Sequence, residues 1–145
     1  MKTSTARAGI ALGSNLGDRL ARLRAARASL SRLPGVERPL LTSSVYETEP
    51  VGCEPEAPEF LNAVIEIGYA GSAHKLLRAL GKIETAGGRS RAHARNASRT
   101  LDLDLLYFGD QTISESDLEL PHPRLHERRF VLEPLAEIRP DLVLP

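Results

Sequence analysis

Apolar residues recur along this 145-residue chain at spacings that predict both helices and strands. From Leu16 to Leu33, leucine and alanine follow a helical period, and Pro34-Gly35 ends the predicted helix. Ser72 can cap a second helix, which Gly87-Gly88 would end. The buried stripe of that second helix would be Leu76, Leu77, Leu80 and Ile83. Strand composition marks four stretches, Gly9–Leu12, Thr42–Tyr46, Phe60–Tyr69 and Leu101–Phe108.

The resulting order, β-α-β-β-α-β, predicts an α+β fold of the ferredoxin-like type with a C-terminal addition. Such a fold has an antiparallel sheet with its helices on one face, and we expect a single domain over residues 1–145. The other sheet face would then be open. Two long irregular segments, Glu49–Glu59 and Gly87–Ser98, are predicted to cover a site on that face, because loops of this length are usually functional.

The most informative stretch alternates leucine with aspartate. Because successive strand side chains point to opposite faces, Leu101, Leu103 and Leu105 would face the core, and Asp102 and Asp104 the open side. Two neighbouring carboxylates repel each other unless a cation lies between them, and Mg²⁺ prefers such oxygen ligands. A half-solvated edge strand shows the same alternation, so the pattern alone leaves both interpretations open.

The preceding segment favours the metal interpretation. Residues 85–101 contain four arginines, one histidine and no acid, in a chain whose formal net charge is zero. A solvated surface normally mixes its charges, so one sign concentrated beside a carboxylate pair predicts a polyanion bound through a metal. The arginines are Arg89, Arg91, Arg95 and Arg99.

The composition limits the kinds of partner and the cellular compartment that we expect. Zero net charge argues against an extended nucleic-acid interface, and no apolar run reaches membrane-spanning length. The lone cysteine, Cys53, excludes an internal disulfide and fits a reducing cytoplasm. We therefore expect a cytoplasmic protein, a monomer, with small-molecule substrates rather than nucleic acid or membrane.

Arg95-Asn96-Ala97-Ser98-Arg99 followed by Thr100-Leu101-Asp102-Leu103-Asp104-Leu105-Leu106 resembles the characteristic motif of the 6-hydroxymethyl-7,8-dihydropterin pyrophosphokinase family of the folate pathway. Further matches follow in the family's order over nearly the whole chain. They include Gly13-Ser14-Asn15, Tyr46-Glu47-Thr48-Glu49-Pro50, Phe60-Leu61-Asn62, Leu120-Pro121-His122-Pro123-Arg124 and Phe130-Val131-Leu132-Glu133-Pro134. The resemblance implies the same ferredoxin-like fold.

The resemblance also implies the reaction, which is transfer of diphosphate from ATP to the hydroxymethyl group of the pterin with release of AMP. Two Mg²⁺ ions held by Asp102 and Asp104 are expected to bring the hydroxyl and the phosphates together. Arg89 and Arg99 match arginines of the family that contact the transferring phosphates, and planar guanidinium groups suit phosphate oxygens.

The remaining ATP-binding residues are predicted mostly from the resemblance. His122 and Arg128 match nucleotide contacts, while the i, i+4 pair His122 and His126 raises zinc as an alternative that lacks a nearby cysteine. Glu84 ends the second helix, where the helix dipole disfavours an acid, so we expect it to bind a donor such as an arginine of the next loop. The predicted set is Leu77, Glu84, Arg91, Leu105, His122 and Arg128.

Asn62 is the sharpest candidate for the pterin, because asparagine is disfavoured inside a strand and its amide can pair with the edge of a heteroaromatic ring. A turn residue at a strand end is the alternative. Phe60 and Phe130 match aromatics that sandwich the ring in the family, although either could be ordinary core. Thr48 and Val51 match loop residues that line the same pocket.

Three departures from the family pattern stand out. Asn96 replaces a tryptophan that helps to close the loop, Gly81 replaces a glutamine of some members, and the sequence stops at Pro145.

Rival classes are a glycosyltransferase with an Asp-x-Asp motif, a metal-dependent nuclease and a non-catalytic ferredoxin-like module. None of the three accounts as well for an aspartate pair beside an arginine segment.

Overall fold

The computed structural model describes residues 5–14, 19–48, 60–86, 101–125 and 128–145, with the backbone alone at positions 19, 48, 60, 129 and 130. Its main elements in chain order are β1 (Ala6–Ser14), α1 (Arg19–Ser31), β2 (Val36–Thr42), β3 (Tyr46–Thr48), β4 (Phe60–Tyr69), α2 (Ala73–Ala86) and β5 (Asp102–Phe108). A short hairpin of β6 (Ile113–Ser114) and β7 (Glu119–Leu120) follows, and then α3 (Arg129–Ile138).

The main sheet has the order β2-β4-β1-β5, and β3 extends the β4 pairing beyond β2. Every neighbouring pair in it is antiparallel. The two central strands are therefore the first and third of the βαββαβ unit. This arrangement confirms the predicted α+β, ferredoxin-like fold.

Both predicted helices pack on one face of the sheet. The Ser72 hydroxyl caps α2 by accepting a hydrogen bond from the Lys75 amide at 3.1 Å, as predicted. Gly35 turns the chain from α1 into β2 with a positive φ of 92°, which glycine adopts without the steric cost other residues meet. The main core lies between the helices and the sheet and includes Leu23, Ala26 and Leu30 of α1, Leu76, Leu80 and Ile83 of α2, and Ile10, Leu12, Ile65, Ile67, Leu103 and Leu105 of the strands.

The predicted strand Thr42–Tyr46 was wrong, since β2 ends at Thr42 and β3 begins at Tyr46. Ser43 explains the break. Its amide donates to the Val64 carbonyl at 2.9 Å, but the Val64 amide donates to the Ser43 hydroxyl, also at 2.9 Å, instead of to a strand carbonyl. Serine side chains compete in this way with regular ladder bonds.

The opposite sheet face is not fully open, contrary to expectation. The C-terminal addition contains α3, whose Val131 and Leu135 form a second core with Val64, Leu106 and Tyr107. This helix contacts β4 and β3, and the second core that it forms includes Leu106 and Tyr107 in the C-terminal half of β5. Asp102 and Asp104 lie in the N-terminal half of that strand. No helix that the structure describes is long and apolar enough to cross a membrane.

Candidate active site

The two aspartates lie where the alternation predicted, on the sheet face away from α1 and α2. Leu103 and Leu105 are buried in the main core, at 5% and 4% exposure, whereas Asp102 and Asp104 between and beside them are half-buried. The register between β1 and β5 shifts between Gly9 and Ile10, so Leu106 has no partner on β1. Because of this extra residue, Tyr107 lies on the same sheet face as the aspartates and Leu106. The carboxylates therefore occupy the regular part of β5, ahead of the irregularity.

Strand register places Asn62 on the same face as the aspartates. Across the sheet, Tyr46 of β3 pairs with Asn62 of β4, Asn62 pairs with Gly13 of β1, and Gly13 pairs with Asp102 of β5. Two strand spacings separate the Cα atoms of Asn62 and Asp102, about 9.6 Å. Gly13 has no side chain, so this row has a depression between an amide and a carboxylate.

The next row repeats the pattern with another small residue. Ala11 of β1 pairs with Asp104 on one side and with Val64 on the other. Ala11 belongs to the second core with Val64 and is 8% exposed, so this row is covered, and Gly13 is the small residue that lies between Asn62 and Asp102. Sequence reasoning missed the place of Gly13 between these two side chains, which only the strand register shows.

Arg128 reaches the aspartates from the start of α3. Its backbone forms the N-cap of the helix, and its guanidinium Nη1 lies 3.7 Å from the Asp104 Oδ2. Both side chains keep access to solvent, at 26% and 45% exposure. A contact of this length between partly exposed groups stabilises the fold little.

His122 lies beside the outer edge of β5. Its amide donates to the Leu106 carbonyl at 2.8 Å, and its ring Nδ1 accepts from the Arg124 amide at 3.2 Å. Burial lowers the pKa of His122, and the Asp104 charge opposes that effect only in part. A neutral ring that accepts at Nδ1 carries its proton on Nε2, which is then a donor.

Glu84 contacts the aspartate strand directly. Its Oε2 accepts a hydrogen bond from the Leu103 amide at 2.8 Å, midway between Asp102 and Asp104. We predicted a donor for this acid at the end of α2, and the structure supplies a backbone amide of β5. The arginines of residues 87–100 lie outside the described residues.

The other predicted residues are only partly brought together. Leu105 is buried in the main core, and Leu77 packs against that core, so both belong to the helix side of the sheet. Thr48 and Phe60 pair with each other in the β3–β4 ladder, which places their backbones one row beyond Glu47 and Leu61. Phe130 lies in the first turn of α3. Val51, Arg89, Arg91, Arg95, Asn96, Arg99 and His126 fall outside the described residues.

A cavity of about 300 Å³ lies elsewhere, between α1 and the β2–β3 connection. Its sheet wall includes Leu12 and Ile65, which face the helices. The cavity is thus on the side of the sheet opposite the aspartates. The candidate active site is therefore the group of polar side chains around β5, and not this cavity.

Comparison with known proteins agrees with this geometry. Residues 9–140 match the family model of 7,8-dihydro-6-hydroxymethylpterin-pyrophosphokinase. The 2-amino-4-hydroxy-6-hydroxymethyldihydropteridine pyrophosphokinase of Bacillus subtilis is 47% identical over 129 residues, which are 89% of this chain and 75% of the relative. The enzyme of the same name from Haemophilus influenzae is 44% identical over 94% of this chain and 83% of its own.

Solved structures support the fold. The wild-type HPPK-DHPS of Plasmodium falciparum matches 99% of this chain with a TM-score of 0.74 at 14% identity. This chain spans 43% of that one, so the likeness concerns one part of a longer protein. The family model matches most of this chain, and two relatives are more than 40% identical to it. The chain therefore belongs to the 7,8-dihydro-6-hydroxymethylpterin-pyrophosphokinase family.

Proposed function

We infer that this chain transfers the diphosphoryl group of ATP to the hydroxymethyl oxygen of 6-hydroxymethyl-7,8-dihydropterin. The bond between the β-phosphorus and the α–β bridging oxygen breaks, AMP leaves, and the pterin hydroxyl loses its proton as the new P–O bond forms. The observation that carries this assignment is the row in which Asn62 and Asp102 face each other across Gly13. We further propose that the enzyme is monomeric and acts in the cytoplasm.

Asp102 and Asp104 are the residues that we propose hold Mg²⁺. They lie on the same strand face about 6.6–6.8 Å apart between Cα atoms, and both have oxygen ligands on solvent-accessible side chains. This donor set fits Mg²⁺, which is usually bound by one or two carboxylates together with substrate phosphates. Two bound ions would lower the proton affinity of the attacking hydroxyl and neutralise charge on the phosphates.

The cationic and donor groups around β5 are suited to the nucleotide. The Arg128 guanidinium is positioned to leave Asp104 for a phosphate oxygen once metal binds that carboxylate. His122 presents a neutral ring with an Nε2 donor at the same edge. We assign Arg89 and Arg99 to the transferring phosphates and Arg91, Glu84, Leu77 and Leu105 to nucleotide binding or its support, as the sequence predicts.

The pterin is proposed to lie over Gly13, between Asn62 and Asp102. Asn62 is 5% exposed beside Gly13, and a buried amide of this kind can both donate to and accept from a heteroaromatic edge. Glu137 fixes the neighbouring β3 by accepting from the Tyr46 hydroxyl at 2.7 Å and from the Ser44 amide. We assign Thr48, Val51, Phe60 and Phe130 to the same pocket on the sequence pattern.

The function is tested by incubating the protein with ATP, Mg²⁺ and 6-hydroxymethyl-7,8-dihydropterin and separating the nucleotides. We expect AMP to form only when the pterin is present, together with a pterin diphosphate ester. Asp102→Ala and Asp104→Ala should each reduce turnover by at least about 100-fold, since loss of a metal's outer partners alone costs 10–100-fold. Asp110→Ala, which removes an exposed acid after β5, is the matched control.

The aspartate variants should remain folded, because their side chains leave the core face and removing one relieves repulsion in the metal-free protein. Unfolding of either variant, or turnover equal to that of Asp110→Ala, would show that the carboxylates are structural. Production of ADP, sugar transfer or strand cleavage would instead assign the site to a different enzyme class.

A further inference from the structure

A second group of metal-ligating side chains lies away from the proposed active site. His74, Glu115 and Asp117 each have one ligand atom within 4.8 Å of those of the other two. His74 is in the first turn of α2, and the two acids are in the turn between β6 and β7. The cluster therefore joins two elements that are separate in sequence. We propose that it binds one Zn²⁺ ion.

The donor set favours zinc over magnesium. An imidazole nitrogen with two carboxylates is typical of zinc, with a fourth position for water, whereas Mg²⁺ prefers oxygen ligands alone. Zinc bonds of 2.0–2.2 Å place tetrahedral ligands about 3.3–3.6 Å apart. The His74 Nε2 and Glu115 Oε2 are 2.6 Å apart in a direct hydrogen bond, so zinc binding would replace that bond and separate the two atoms by up to about 1 Å.

The supporting backbone holds the ligands in place. The amides of Glu115 and Leu118 donate to each other's carbonyls across the turn, at 2.9 and 3.4 Å, and Leu118 is buried in the main core. Ala73, next to His74, is buried in the same core. The three proposed ligands are therefore attached to two backbone segments whose neighbouring residues, Ala73 and Leu118, are buried in the main core.

Charge around the cluster also calls for a cation. Two carboxylates lie close together, and Asp117 makes no ion pair with any residue that the structure describes. Glu115 pairs with His74 at 2.6 Å. A zinc ion bound by the three side chains would offset the repulsion between the two carboxylates.

Binding is tested by calorimetric titration of Zn²⁺ into the full chain in excess Mg²⁺, added to saturate the proposed magnesium site at Asp102 and Asp104. We expect a single site of micromolar affinity. His74→Ala and Asp117→Asn should each weaken it at least about tenfold, the smaller effect expected for a metal's outer partners. Asp110→Asn, an exposed acid outside the cluster, is the charge-matched control and should bind as the wild type does.

A spectroscopic readout assigns the site independently of activity. Zn²⁺ should shift the His74 ring resonances among the four histidines of the chain, and Co²⁺ in its place should give visible absorption that His74→Ala abolishes. No zinc binding in excess Mg²⁺, or binding equal in wild type and His74→Ala, would overturn the proposal. Either result leaves the diphosphoryl transfer assay unaffected, because that assay depends on Asp102 and Asp104.

Discussion

Glu84 is the side chain that links the helix layer to the aspartate strand. β5 is the last strand in the described order of the sheet, and on its outer side the Glu84 carboxylate, rather than a further described strand, accepts from the Leu103 amide at 2.8 Å. That hydrogen bond acts on the backbone between Asp102 and Asp104. Through this contact the Glu84 carboxylate can set the spacing and orientation of the two proposed metal ligands.

We predict that Glu84→Ala destabilises the protein by about 1–3 kcal/mol, the usual cost of leaving an amide without a partner. Glu84→Gln should cost less, because its amide oxygen still accepts. Turnover should fall in the same order. Urea unfolding and steady-state kinetics measure both effects, with Lys82→Ala, an exposed position of the same helix, as control. Stability of Glu84→Ala equal to that of the control would contradict this role.

The last helix is attached to the sheet through a buried carboxylate. Glu66 of β4 is 1% exposed and binds Arg7 of β1 at 2.9 Å, Arg139 after α3 at 2.5 Å and the Tyr107 hydroxyl of β5 at 2.5 Å. Gly9 makes this possible, because a Cβ there would collide with the Tyr107 ring. Burial, followed by the Glu66 hydrogen bond, raises the pKa of Tyr107 well above its usual value of 10.0.

Tyr107 should therefore make stability depend on alkaline pH. Its folded pKa is raised, so its contribution is fully present below about pH 10 and is lost as the unfolded tyrosine ionises above it, by up to about 1.4 kcal/mol per pH unit. Urea unfolding from about pH 8 to pH 11 should show wild type losing stability more steeply than Tyr107→Phe. Asp110→Asn, which changes an exposed acid outside this cluster, is the control. Parallel curves for wild type and Tyr107→Phe would contradict the prediction.

The local sequence pattern was sufficient to predict the orientation of those elements that have one apolar and one polar face. The Leu–Asp alternation of β5 and the Leu76–Ile83 stripe of α2 predicted which side chains face the core, and the structure confirms both. At Glu66 the local sequence pattern is not sufficient to predict burial. Between Ile65 and Ile67 it reads as a solvent-facing position, but its burial depends on Arg7 and Arg139, 59 and 73 residues away.

The same reason explains why the covering of the second sheet face was not predicted. The apolar stripe of α3 has meaning only once Val64, Leu106 and Tyr107 are known to share a face, and the β5 register shift decides that sharing. Sequence reasoning named Asp102, Asp104 and Arg128, and the structure places all three at β5, while their roles stay predictions. The position of Gly13 between Asn62 and Asp102 was not anticipated, because it follows only from pairing across three strands.

Across the whole molecule, the two substrates are expected to meet over one small surface. The aspartates that would hold the metals and phosphates and the Asn62 that would hold the pterin are about 9.6 Å apart across Gly13. Asp104 lies 3.7 Å from the Arg128 guanidinium, which a bound metal ion would replace as its partner. The phosphate chain and its metals would thus complete one wall of the pterin pocket, so binding of the two substrates should be coupled.

We therefore predict that the pterin binds weakly to the free protein and more tightly after a non-hydrolysable ATP analogue and Mg²⁺ are added, with a coupling of about 1–3 kcal/mol. Because coupling free energies are reciprocal, the pterin should raise the affinity for the analogue by the same factor. Calorimetric titrations in both orders measure the two factors. Asp104→Ala should remove most of the coupling, whereas Asp110→Ala should preserve it. Equal pterin affinity with and without the analogue would show that the pocket is complete before the nucleotide binds.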